Sequence, residues 1–144
     1  MKTFTLAIAF IFIVGTTFPI SGYANEENLN FQPKPSTELL YSDIFVSMLL
    51  PKIQKRVNQY YSKIFTEAPV VYPYYVFVEN AKRIHGFRSF VFEVTFKVIP
   101  VVGPHIDVGV DRLVFEISTG NIGLKDFDHL KTEKLPPNWQ YILK

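Results

Sequence analysis

The spacing of apolar residues changes once along this chain, near Pro69, and that change limits the possible folds more than any other feature. Before it the spacing is helical. Leu39, Val46, Leu49, Leu50, Ile53, Val57, Tyr60, Tyr61 and Ile64 fall on one stripe of a wheel turning about 100° per residue, while Lys52, Lys55, Arg56 and Lys63 fall opposite. Ser36 or Thr37 can cap the start, and Glu38 suits the positive end of the helix dipole. Pro51 interrupts the pattern but lies on the polar side. The spacing therefore predicts one kinked helix over residues 37–65, or two abutting helices split near Pro51.

After Pro69 the apolar residues alternate. Tyr74, Val76 and Val78 open a first strand. Phe90, Phe92, Val94, Phe96 and Val98 then share one face of a second, with Ser89, Glu93, Thr95 and Lys97 on the other. His85-Gly86 reads as the turn between them. A loop from Pro100 to His105 leads to a third strand with Leu113, Phe115 and Ile117 inward. Thr119-Gly120-Asn121 turns into a fourth strand, whose apolar positions change parity between Leu124 and Phe127. That change predicts a bulge near Lys125-Asp126. A long N-terminal helix on a four-stranded antiparallel meander is an α+β layer structure, the layout of cystatin-like and NTF2-like folds. The first half of the helix carries a second apolar stripe, Leu40, Ile44 and Met48. Cover by the C-terminal tail with Leu135, Trp139 and Ile142 is the favoured expectation, and a homodimer or partner surface the alternative.

Near the start of the chain come Lys2, an apolar run from Phe4 to Val14, and the small residues of Gly22-Tyr23-Ala24. That is the pattern of a secretory signal peptide over residues 1–24, cleaved after Ala24. The run is shorter than the ~20 residues of a comfortable membrane span, so retention as an anchor is the lesser alternative. Residues 25–35, polar and carrying Pro33 and Pro35, read as a flexible leader. Residues 36–144 then form a single domain that includes the tail. The expected location is extracellular or wall-associated, with membrane contact only through the uncleaved leader.

Composition excludes several functions. Fifteen Lys and Arg against thirteen Asp and Glu argue against a nucleic-acid partner. The chain has no cysteine, which excludes a disulfide scaffold, thiolate zinc sites and a cysteine nucleophile.

Four segments carry a family resemblance: Met48-Leu49-Leu50-Pro51-Lys52-Ile53-Gln54 with Tyr60-Tyr61, the strand from Gly86 to Val94, Val102-Gly103-Pro104-His105, and Val108-Gly109-Val110-Asp111-Arg112-Leu113-Val114-Phe115. Together they resemble the small exported proteins of Gram-positive spore-forming bacteria known as domain of unknown function 3888. The resemblance spans roughly residues 39–130. It implies export and a single domain, and it supplies no activity.

The three histidines, His85, His105 and His129, lie at loops or strand ends. Asp107 and Asp111 follow His105, and Asp126 and Asp128 precede His129. No metal-binding spacing of diagnostic value is present. The bland reading has His105 and Asp111 tying down a long connection, with Arg88 as a cation for Asp111. No Gly-x-Ser-x-Gly occurs, and Ser89 and Glu93 point outward. The glutamine of the cystatin inhibitors' Gln-x-Val-x-Gly has no counterpart before Val101-Val102-Gly103. The tyrosines at 60, 61, 72, 74 and 75 suit core edges, or stacking on sugars and peptides.

The expectation is an exported, non-catalytic domain without a cofactor that binds an envelope or extracellular partner. Its candidate loop comprises Gly103, Pro104, His105 and Asp111, with Arg88. The alternative is a metal-assisted hydrolase using His105, Asp107 and Asp111.

Overall fold

A computed structural model describes residues 35–144. The expected leader, its cleavage after Ala24 and nearly all of the 25–35 segment lie outside the described residues. Helix α1 runs Thr37–Tyr61 without interruption through the exposed Pro51, and the Ser36 hydroxyl caps it by accepting from the Leu39 amide at 3.0 Å. It ends one turn earlier than the apolar spacing suggests. Beyond Ser62 the backbone turns to the C-terminus, with Thr66 N–H donating to the Ile142 carbonyl and Lys144 N–H to that of Ile64. One irregular turn, with the Ile64 and Phe65 amides both donating to the Tyr61 carbonyl, leads from the helix into that pairing.

Four strands form the main sheet: β1 (Val76–Arg83), β2 (Phe92–Val98), β5 (Gly109–Ser118) and β6 (Asn121–Thr132), antiparallel neighbours in that order. A two-residue hairpin, β3 (Val101–Val102) and β4 (Ile106–Asp107), interrupts the meander between β2 and β5. The parity change in β6 is a bulge, because Val114 faces Asp126 and Phe115 faces Leu124, leaving Lys125 without a partner. A second irregularity leaves Leu130 over between His129 and Lys131. Each extra residue resets which side chains face the helix. Ile122 and Leu124, then Phe127 and His129, share the inner face with Ile117, Phe115, Leu113 and Asp111 of β5.

The core lies between α1 and that inner face. Val46, Leu49, Ile53, Val57 and Tyr61 of the helix pack with Val94, Phe96, Val98, Leu113 and Phe115. Phe96 is central, its ring 5.9 Å from Phe45 and 6.0 Å from Phe115. Two expectations need correction. Phe90 is 62% exposed, because β2 starts at Phe92 and the preceding residues form a turn, pinned by Ser89 Oγ accepting from Val91 N–H. The tail does not cover the second stripe either. Leu135 and Ile142 are buried near the C-terminal end of α1, where Leu143 bridges Phe65, while Leu40, Ile44 and Met48 remain exposed. The tail is held by backbone bonds to residues 64–66, more than a dozen residues beyond that stripe.

Candidate functional site

The expected candidate residues divide among three places. Gly103, Pro104 and His105 form the tip of the β3–β4 hairpin. Asp111 lies inside β5, wholly buried. Arg88 lies in the β1–β2 turn, at the opposite end of the sheet from Asp111, which is paired in register with Val98. Arg88 therefore does not serve Asp111. His105 and Asp111 also have separate partners, and among the described residues no three His, Asp or Glu side chains are grouped to hold a metal ion.

The hairpin tip is tightly wound. The His105 amide donates to the Gly103 carbonyl at 2.9 Å, a three-residue turn on Pro104, and His105 itself takes a left-handed φ of 63°. Such a conformation is uncommon outside glycine, although histidine tolerates it better than most residues. Gly103 also has positive φ, and the Trp139 indole occupies the space a Cβ would fill. The turn presents the His105 ring to the tyrosines before β1. Tyr72 stacks on His105 at 4.8 Å and on Tyr74 at 5.3 Å, and Tyr74 Oη shares a 2.9 Å hydrogen bond with His105 Nε2. Tyr74 is 59% exposed, and its phenol pKa is raised, first by desolvation and then by Tyr72 and Tyr75. On the Gly103 side, Trp139 stacks with the exposed Tyr141 at 5.9 Å. Two stacked aromatic groups thus flank one strained turn.

The second constellation runs from a buried acid to an exposed hydroxyl. Asp111 Oδ1 bonds His129 Nδ1 at 2.7 Å and accepts more weakly from Tyr61 Oη at 3.4 Å, while His129 Nε2 lies 2.7 Å from Thr132 Oγ1. Tyr60 stacks on the imidazole at 4.8 Å. With Asp111 ionised the carboxylate can only accept, so Nδ1 carries the proton. In the neutral ring Nε2 then accepts from the Thr132 hydroxyl. Burial raises the Asp111 pKa, against the lowering effects of His129, Tyr61 and Arg56. The Tyr61 phenol is pushed far up by burial and then by the Asp111 charge, so it remains a proton donor. Asp111 Oδ2 is buried with no hydrogen-bond partner. Gly109 makes room for the group, since a Cβ there would press on Tyr61 Oη and lie 2.9 Å from His129 Cε1.

The sequence carries one sign of this buried acid. Asp111 is in phase with Leu113, Phe115 and Ile117, so period-2 alternation alone puts it on the inner face. Asp128 adjoins His129 in a strand and points away from it, pairing instead with Arg112 at 2.6 Å.

The aromatic turn matches no familiar catalytic pattern, whereas the second constellation has the carboxylate–imidazole–hydroxyl order of a nucleophile relay. No curated protein and no solved structure matches the chain. One family model does, that of "Protein of unknown function (DUF3888)", over residues 41–131, a stretch that takes in α1 from Tyr41, the hairpin with His105, and both Asp111 and His129. The aromatic turn and the buried acid–histidine pair are therefore features of a chain that belongs to the DUF3888 family of proteins of unknown function.

Proposed function

We propose that this chain is an exported, non-catalytic binding module that recognises an envelope or extracellular partner through the aromatic surface around His105. The observation that carries the reading is the stacked set Tyr72, Tyr74 and His105, held on a strained turn with Trp139 and Tyr141 beside it. Exposed rings with polar tips suit the faces of sugars and the side chains of peptides. Residues in left-handed backbone away from glycine collect at ligand clamps, which fits His105. The leader pattern of residues 1–24 supports export and a location outside the cell or on its wall. The layout resembles cystatin-like and NTF2-like folds, which host many functions, so the reading rests on the surface and not on the fold.

Co-sedimentation with purified, protein-free cell-wall sacculi tests the proposal. Wild type should sediment, and a Tyr74→Ala, His105→Asn double variant should lose most of that binding while unfolding at the same temperature. Asparagine tolerates the left-handed backbone, so the turn survives while the ring is lost. Equal sedimentation of both proteins, or none of either, rejects the reading.

One observation favours a second reading. Thr132 ends the Asp111–His129 chain and lines a cavity of about 190 Å³ with the apolar Ile64, Phe65, Leu135 and Leu143 and the polar Glu133, Lys134 and Gln140. In an acyl transfer, Thr132 Oγ would attack an ester carbonyl while His129 Nε2 takes the hydroxyl proton and returns it to the leaving alkoxide. Water would then release the acyl group from Thr132. A fluorophosphonate probe should label Thr132 in wild type and not in His129→Gln. An unlabelled wild type eliminates this reading and leaves the first untouched.

A further inference from the structure

A different cavity lies on the flank of α1, where Lys52, Lys55, Arg56 and Gln59 line one side and Phe115, Ile122 and Leu124 the other, enclosing about 190 Å³. Its two halves have different origins. The apolar half is the inner face of β5 and β6 just before the Lys125 bulge, where Leu124 is still in phase with the core but lies on an edge strand beyond full cover of the helix. The polar half is the middle of α1, where the cations follow one another at helical spacing on the side away from Val57.

Three cations gather on this one cavity without an acid among its lining residues. On the outer face of the sheet Lys82 and Lys125 share Glu93, and Arg112 pairs with Asp128. Among the described residues none of Lys52, Lys55 or Arg56 is in an ion pair, and no acid lines the cavity. Arg56 does act electrostatically on Asp111, but that acid is buried and bonded to His129. Arg56 is also fixed in place, its guanidinium 3.8 Å from the centre of the Phe127 ring. That contact holds the charge at the edge of the cavity it lines.

From this juxtaposition of three unopposed cations and an apolar floor we infer that the cavity binds a single-chain anionic amphiphile. The carboxylate head sits on Arg56, Lys52 and Lys55, and the first methylenes of the chain lie on Phe115, Ile122 and Leu124. Charge complementarity selects the head, and burial of the apolar edge of β6 selects the tail. This site is separate from the His105 surface, so either can fail alone.

The test is isothermal titration of the full chain with sodium dodecanoate below its micellar concentration, with dodecanol, and with phosphatidylglycerol vesicles. Dodecanoate should bind, and dodecanol should bind about tenfold or more weakly because it lacks the charge-assisted bonds. A Lys52→Gln, Lys55→Gln, Arg56→Gln variant should lose dodecanoate binding by a similar factor. Leu124→Asp, at a partly exposed edge position where folding is little affected, should lose it as well. Three outcomes overturn the inference: equal binding of dodecanol and dodecanoate, unchanged dodecanoate binding by both variants, or binding to the vesicles with none to the monomeric acid.

Discussion

The two faces of the sheet each hold a carboxylate with two donors, and the two groups are treated in opposite ways. On the inner face Asp111 is fully buried between His129 and Tyr61, and burial raises its pKa. On the outer face Glu93 takes Lys82 at 2.6 Å and Lys125 at 2.8 Å, and those bonds hold its pKa down at about 2. Desolvation dominates the first and paired charge the second. The same functional group therefore opposes ionisation inside the fold and favours it outside. A buried acid can persist only while its partners remain, whereas an exposed one can lose a partner to water at little expense.

Removing a partner should separate the faces most sharply. His129→Leu leaves the Asp111 carboxylate buried without its strongest donor and should destabilise the fold by about 3–5 kcal/mol in urea denaturation. Asp111→Leu combined with His129→Leu should recover most of that loss, because no unpaired charge remains. If the single variant costs as little as an exposed substitution, water reaches Asp111 and the inner face is not sealed. A parallel contrast in packing comes from the phenylalanines. Phe96→Ala should cost about 3–5 kcal/mol by leaving a cavity beneath α1, whereas Phe77→Ala, on the half-exposed outer side of β1, should cost no more than about 1 kcal/mol.

Much of this asymmetry was legible in the sequence, and the parts that were not share a cause. Alternation placed Val94, Phe96, Leu113 and Phe115 inward, and the parity change between Leu124 and Phe127 located the Lys125 bulge. Those are local signals. The Asp111–His129 contact depends on the register of β5 against β6, which two bulges reset, so neighbours in sequence such as Asp128 were misleading. Phe90 kept the alternation in a segment that had already left the sheet, because apolar pattern cannot show where the pairing stops. The aromatic set at His105 joins residues from three separated stretches, 72–75, 103–105 and 139–141, and only the folded chain brings them together. The second stripe on α1 was legible as apolar, but nothing local could show that the tail turns to the other end of the helix.

The two carboxylates should also give pH responses of opposite sign. Asp111 holds its proton more tightly when folded than its ordinary value of 3.8 would allow. Between 3.8 and that raised value the native state binds more protons than the unfolded chain, so stability is full below 3.8 and falls as pH rises through the window. Asp111→Asn should remove this fall from a plot of urea midpoint against pH. An unchanged slope in the variant means that another group carries it.

Glu93 supplies the reverse and smaller effect. Its pKa falls from 4.5 unfolded to about 2 folded, so its contribution is complete above pH 4.5 and is lost as pH drops towards 2. Because the lysine ends of the Lys82 and Lys125 pairs are about half-exposed, the slope should shrink further when salt shortens the range of the charges. Glu93→Gln measured at low and at high salt should flatten the acid limb at low salt and change little at high salt. The Asp111 limb, shielded from solvent ions, should keep its slope at both. Salt sensitivity thus distinguishes the two faces even where their pH windows meet. An acid limb that survives high salt in wild type and disappears in Glu93→Gln would show that the outer network is shielded from water and that the contrast between the faces is wrong.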